Sequence, residues 1–195
     1  MMQNSGMMHS TKKNTLTDIF MIQTVLRHVF AVIAVIGLTL GGTAMAGDPL
    51  PAPSGDILLT ISGNVSQTNT DEGTAEFDLG MLQNLGQVEF NTTTIWTDGV
   101  NTFAGVPLAA VLNRLGITSG NLRATAINDY AIDLPVSEVG DQAPIIAYHL
   151  NGAPMSRRDK GPLWIVYPYD SDGKFRSEII YSRSIWQLDR IVVEN

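Results

Sequence analysis

Six cations crowd into one stretch of this chain: Arg157, Arg158, Lys160, Lys174, Arg176 and Arg183, all within 27 residues. Guanidinium forks hold phosphates and oxyanions bidentately, so such a cluster suits an anionic small molecule. The same window holds Asp159, Asp170, Asp172 and Glu178. The alternative is therefore a solvated loop face whose charges close in ordinary ion pairs. Other reactive groups are sparse. His149 is the only histidine beyond His28, and the chain has no cysteine, so a zinc site lacks its usual donors. A general base at His149 would need a nucleophile, and no Gly-x-Ser-x-Gly elbow surrounds any serine. A structural histidine is the simpler reading. Asp170-Ser171-Asp172-Gly173 lacks the later ligands and distal glutamate of a calcium loop, and reads as a turn. No residue is assigned as catalytic or as a metal ligand.

The body that carries these groups is acidic. From Gly47 onward there are nine Lys and Arg against eighteen Asp and Glu, a net charge of −9. The cation window is +2, which leaves −11 on the rest. That balance excludes a basic face for nucleic acid. Without disulfides, stability must come from the core.

The elements that position the candidates follow from pattern. Residues 47–55 are a Pro-rich extended arm, expected to be mobile. Asp56–Ser62 reads as a strand and Ser66–Gly73 as a loop, with a short strand at Ala75–Phe77. Asp78 is placed as the N-cap of a short helix carrying Leu79, Leu82 and Leu85, closed by Gly86. Val88–Trp96 is β-prone. Pro107 sits where a first-turn proline belongs, ahead of Leu108, Val111, Leu112 and Leu115 at helical spacing, with Gly116 as the stop. Leu122–Ile127 and Tyr130–Leu134 read as strands joined through Asn128-Asp129. Ile145–Leu150 is a strand, and Asn151-Gly152 signals a type I′ hairpin. Leu163–Tyr167 reads as a buried strand and Leu188–Val193 as the last. Many short strands with two short helices predict one α+β, mainly β domain over 56–195.

Ahead of the domain, Arg27 and His28 precede the apolar run Val29–Leu40 and then GGTAMAGD. Ala44 and Ala46 fit the small-x-small rule, which predicts a signal peptide over 1–46, cleaved after Ala46. A start at Met21 gives a leader of ordinary length. An uncleaved anchor is the alternative. With no twin-arginine pair before the run, general export in an unfolded state is expected, leaving the domain periplasmic or secreted.

Four segments in order carry a family resemblance. They are DILLTISGNV, WTDGVNTFAGVPLAAVLNRLGI from Trp96 to Ile117, AINDYAIDLP from Ala126 to Pro135, and AYHLNGAPMSRRDKGPLWIVYP from Ala147 to Pro168. Together with YSRSIWQLDRIVV they resemble the sulfite-oxidase fold, the molybdopterin-binding oxidoreductase domain. A small exported branch with DKGPLWIVYP followed by SRSIWQL is most similar. The resemblance implies a single sulfite-oxidase-type domain with short helices. It also implies a molybdopterin cofactor whose metal is held by a cysteine just before the Trp96 block. In this chain that region reads Asn91-Thr92-Thr93-Thr94-Ile95-Trp96. A threonine hydroxyl is neutral where a thiolate would be a soft anion.

By the same resemblance Thr93, Thr94, Asn128 and Tyr130 fall near the cofactor pocket; independently, the charge cluster offers Arg157, Arg158 and Lys160 for an anionic part of the ligand. Trp96, Trp164 and Trp186 are expected as core or pocket wall. The implied function is a binding module for a pterin-like or other anionic ligand, presented to a membrane sensor or redox partner. The alternatives are a molybdopterin-dependent oxidoreductase whose metal is held by the pterin alone, and an exported scaffold with no ligand.

Overall fold

Alternation decides where the first strand faces. Leu59 and Ile61 are fully buried while Thr60 between them is not, the mark of a half-covered strand. The computed structural model describes residues 48–195, one compact unit. The expected leader over 1–46 lies outside the described residues.

Among the described residues, ten strands and three short α-helices run in the order β1 (Leu59–Gly63), β2 (Ala75–Phe77), α1 (Leu79–Asn84), β3 (Val88–Thr94), β4 (Thr97–Pro107), α2 (Leu108–Arg114), β5 (Asn121–Ala126), β6 (Ala131–Pro135), β7 (Ile145–Leu150), β8 (Ala153–Pro154), β9 (Trp164–Val166), α3 (Glu178–Arg183) and β10 (Leu188–Glu194). One sheet has the order β2-β1-β10-β5-β6, and the other β3-β4-β7-β8 with β9 also on β7. Pairing is antiparallel except between β1 and β10. A single apolar core draws on both sheets, from Leu59 and Ile191 on one to Phe103, Ile146 and Trp164 on the other. The architecture is the α+β, mainly β domain that the pattern predicts.

Local chemistry explains most boundaries. Asp78 caps α1, accepting the Met81 N–H at 2.8 Å. Asn151 and Gly152 both have positive φ, 52° and 79°, as a type I′ turn requires. β9 is buried along its whole length.

Four elements differ from expectation. The Pro-rich arm is extended but anchored: Leu50 is buried, and Asp78 Oδ2 accepts from the backbone N–H of Ser54 and of Gly55 at 2.7 and 2.8 Å. Pro107 is the N-cap of α2 and also the last residue of β4, so strand passes directly into helix. β4 itself, eleven residues long, occupies a stretch with no alternating pattern because its first half is largely exposed. α3, capped by Ser177, was not anticipated.

Candidate functional site

The cavity that brings the expected residues together has a volume of about 380 Å³. Trp96, in the β3–β4 turn, forms one wall. Ala126, Asn128 and Tyr130 from the β5–β6 hairpin form a second. Tyr181, Ser182, Ser184, Ile185 and Trp186, from α3 and the turn after it, form the third. No charged side chain lines it. Walls of aromatic rings with a few polar groups suit a planar organic ligand.

The aromatic wall is built around Trp96. Its ring meets Trp186 at 5.7 Å, Trp164 and Tyr181 at 5.9 Å and Tyr169 at 6.2 Å, all near edge-to-face. Trp164 is fully buried and donates its indole N–H to Ser184 O at 3.0 Å. The buried Tyr169 hydroxyl donates to Ser184 Oγ at 2.6 Å, and burial raises its pKa. The inner part of the wall is thus locked from behind. Trp186 keeps 37% of its surface exposed and Tyr130 56%, so both remain open to a ligand. Tyr130 is no packed core ring. Asn128 Oδ1 accepts the Tyr130 N–H at 3.2 Å, which engages the oxygen of its side-chain amide.

The threonines expected beside a cofactor do not line the cavity. Thr92 is fully buried; its hydroxyl donates to Thr93 O at 3.2 Å and accepts the Asp170 N–H at 3.1 Å. Thr93 gives its N–H to Asp170 Oδ2 at 2.5 Å and its hydroxyl to Asp170 Oδ1 at 2.9 Å. Arg176 adds a 2.7 Å contact to the same carboxylate. The Thr93 N–H, then its hydroxyl, with Arg176 in support, hold Asp170 below the usual carboxylate range. Thr94 Oγ1 lies 2.7 Å from Thr97 Oγ1 and accepts the Trp96 N–H at 3.0 Å. Thr94 therefore bears on the cavity only by holding Trp96.

The cation cluster is mostly closed in pairs. Lys174 meets Asp172 at 3.6 Å, Arg176 meets Asp170 at 2.7 Å, and Arg183 meets Glu138 at 2.5 Å. Lys160 pairs with Asp159 at 3.2 Å and lies over the Trp164 and Trp186 rings at 5.7 and 5.6 Å. Its ammonium supports the wall, and it does not line the cavity. Among the described residues only Arg157 and Arg158 of the six enter no ion pair, and both are exposed. Ordinary ion pairs, the alternative weighed for this cluster, thus account for four of the six cations and leave one adjacent pair. His149 meets Tyr148 edge to face at 5.1 Å on β7 and does not line the cavity.

Sequence reasoning missed Tyr181, Ser182, Ser184 and Ile185. The available signal was Ser177 followed by Glu178, an N-cap with an acidic first turn that announces α3.

A family model of the oxidoreductase molybdopterin binding domain matches residues 71–171. The chain belongs to the oxidoreductase molybdopterin-binding domain family. The match takes in Trp96 and the hairpin tip of the cavity but stops short of the α3 wall. No curated protein matches the chain.

A protein-ligated molybdenum does not fit this molybdopterin-binding domain. The chain has no cysteine, and the three threonine hydroxyls at the expected ligand position are spent on internal hydrogen bonds. The anion nearest that position, the Asp170 carboxylate, is held by Thr93 and Arg176 and is a hard oxygen donor, no substitute for a soft thiolate. Among the described residues, no group of three or more His, Asp or Glu is placed to hold a metal ion.

Proposed function

We propose that this domain is an exported binding module for a pterin-like heterocycle carrying an anionic tail, with no metal bond from the protein. The observation that carries the reading is the cavity wall of Trp96, Tyr130, Tyr181 and Trp186, free of charged groups; Arg157 and Arg158 do not line it, but Gln187, next to Trp186, holds the Arg157 carbonyl and so ties their loop to it. Stacking on open indoles favours a flat ring. Exposed guanidinium groups favour the anion. Of the hydroxyls lining the cavity, Ser182 donates to Ile179 O at 2.7 Å and Ser184 to Ile180 O at 2.8 Å, so both serines are engaged with the chain's own carbonyls. Within its compartment the loaded module would hand its ligand to a membrane sensor or redox partner.

The test is analysis of protein purified from the exported fraction, joined to titration with a pterin followed by tryptophan fluorescence. Saturable quenching with substoichiometric molybdenum supports the module. Stoichiometric molybdenum with a fluorescent pterin released on oxidation would instead favour an oxidoreductase whose metal rests on the pterin alone. Absence of ring binding and of both pterin and metal defeats either version.

A further inference from the structure

Gln187 is one of three residues other than glycine with positive φ among the described residues, at 55°. Side chains rarely adopt that conformation unless their surroundings impose it. The hydrogen bonds of Gln187 run to two segments next to the site, Arg157–Lys160 and Ile127 at the start of the β5–β6 hairpin tip. Its N–H donates to Lys160 O at 3.0 Å. Its side-chain Nε2 donates to Arg157 O at 2.7 Å and Asp159 O at 3.1 Å. Its carbonyl accepts the Ile127 N–H at 2.9 Å. One residue thus ties the loop bearing Arg157 and Arg158 to the hairpin bearing Asn128 and Tyr130, immediately after Trp186.

We propose that Gln187 is a positioning residue that fixes the spacing between the aromatic wall and the Arg157–Arg158 pair, and so selects a ring bearing a phosphate over the same ring without one. This rests on the ring-binding reading above. Gln187 does not line the cavity, so its effect passes through the loop it holds. The backbone bonds set where the chain runs, and the side-chain amide sets where the Arg157 carbonyl, and with it the loop, comes to rest. A shorter amide cannot make both contacts, although asparagine is at ease in the left-handed region. Gln187→Asn therefore separates the tether from the backbone strain.

The experiment measures Kd for 6-hydroxymethylpterin and for its phosphate ester with wild type, Gln187→Asn and the Arg157→Ala/Arg158→Ala double variant, with thermal unfolding as a check on folding. Wild type should prefer the phosphate ester by roughly tenfold, the scale of one charge-assisted contact. Both variants should bring that ratio close to one while affinity for the bare ring stays within about twofold. A Gln187→Asn protein that keeps the preference, or loses both ligands in equal proportion, overturns the assignment. A wild type that binds the two pterins equally also overturns it and leaves ring binding standing. Failure of wild type to bind either pterin defeats the underlying reading instead. Should Gln187→Asn not fold, the arginine variant still decides whether the loop reads the phosphate, and Gln187→Gly, which tolerates the same φ, replaces it as the test of the tether.

Discussion

Thr93 and Asp170 are joined twice, by backbone N–H to Oδ2 and by hydroxyl to Oδ1, across 77 residues of sequence. The contact fastens the end of β3 to the loop after β9. Thr94 then fixes the turn that presents Trp96. Where the family resemblance implies a metal ligand, this chain has a fastening that positions a ring.

Thr93→Val and Asp170→Asn should each lower thermal stability, and the double variant should cost clearly less than their sum. Residues sharing a hydrogen bond are not additive. Because the Thr93 N–H, the Thr93 hydroxyl and Arg176 depress the Asp170 pKa, this contribution is complete above the ordinary value of 3.8 and fades as pH falls through the lowered one. Additive effects in a double-mutant cycle would show the two residues to be uncoupled.

Asp78 should be the strongest acid-sensitive point in the fold. Hydrogen bonds from the Met81 N–H, then Ser54 and Gly55, lower its pKa to about 2. Its stabilisation is full above about pH 4 and is lost as pH drops towards 2. Asp78→Ala removes a helix cap and the anchor of the arm together, which should cost roughly 2–4 kcal/mol in denaturant unfolding at pH 7.

Two tryptophans should separate binding from stability. Trp186 is partly exposed, so Trp186→Ala should weaken pterin binding by roughly ten- to a hundredfold, about 1–3 kcal/mol of stacking, with little loss of stability. Trp96 touches the inner rings, so Trp96→Ala should also destabilise the domain by about 3 kcal/mol. Titration and unfolding on both variants give the comparison, and equal stability losses would contradict it.

Two glycines should resist substitution for want of space. A Cβ on Gly105 would collide with the Ile146 carbonyl across the β4–β7 pair, and one on Gly161 with the Met155 carbonyl. In each case the obstacle is backbone, which cannot step aside. Gly105→Ala and Gly161→Ala should each cost about 2 kcal/mol of unfolding free energy, whereas Gly173→Ala, with open space around it, should be close to neutral.

Sequence revealed the fold wherever a local rule governs. Ala75–Phe77 and Ile145–Leu150 match the expected strands residue for residue, the Asp78 cap is where its helix pattern requires, and Asn151-Gly152 turns as its composition dictates. It failed on β4, whose pairing with β3 and β7 holds polar, exposed residues in a strand that their own pattern does not demand. The candidate site was half legible. Trp96, Trp186, Asn128 and Tyr130 do meet at one cavity. The cations left two readings open in sequence, an anion site or ordinary ion pairs, because partners such as Arg183 and Glu138 lie 45 residues apart and only the tertiary fold brings them within reach. Gln187 gives no sign in sequence, since its importance lies in backbone geometry and distant carbonyls.

The pairing of β1 with β10 sets the order of events when this chain folds. The first strand lies parallel to the last, Thr60 opposite Arg190 and Gly63 opposite Val193. β10 is also the middle strand of its sheet, with β5 on its other side. Until the segment Leu188–Glu194 arrives, β1 and β2 on one side and β5 and β6 on the other have nothing to join them. This sheet therefore stays incomplete until nearly all of the chain is present. A pairing so distant in sequence closes slowly compared with a local hairpin, so the closing of this sheet is a late step of folding.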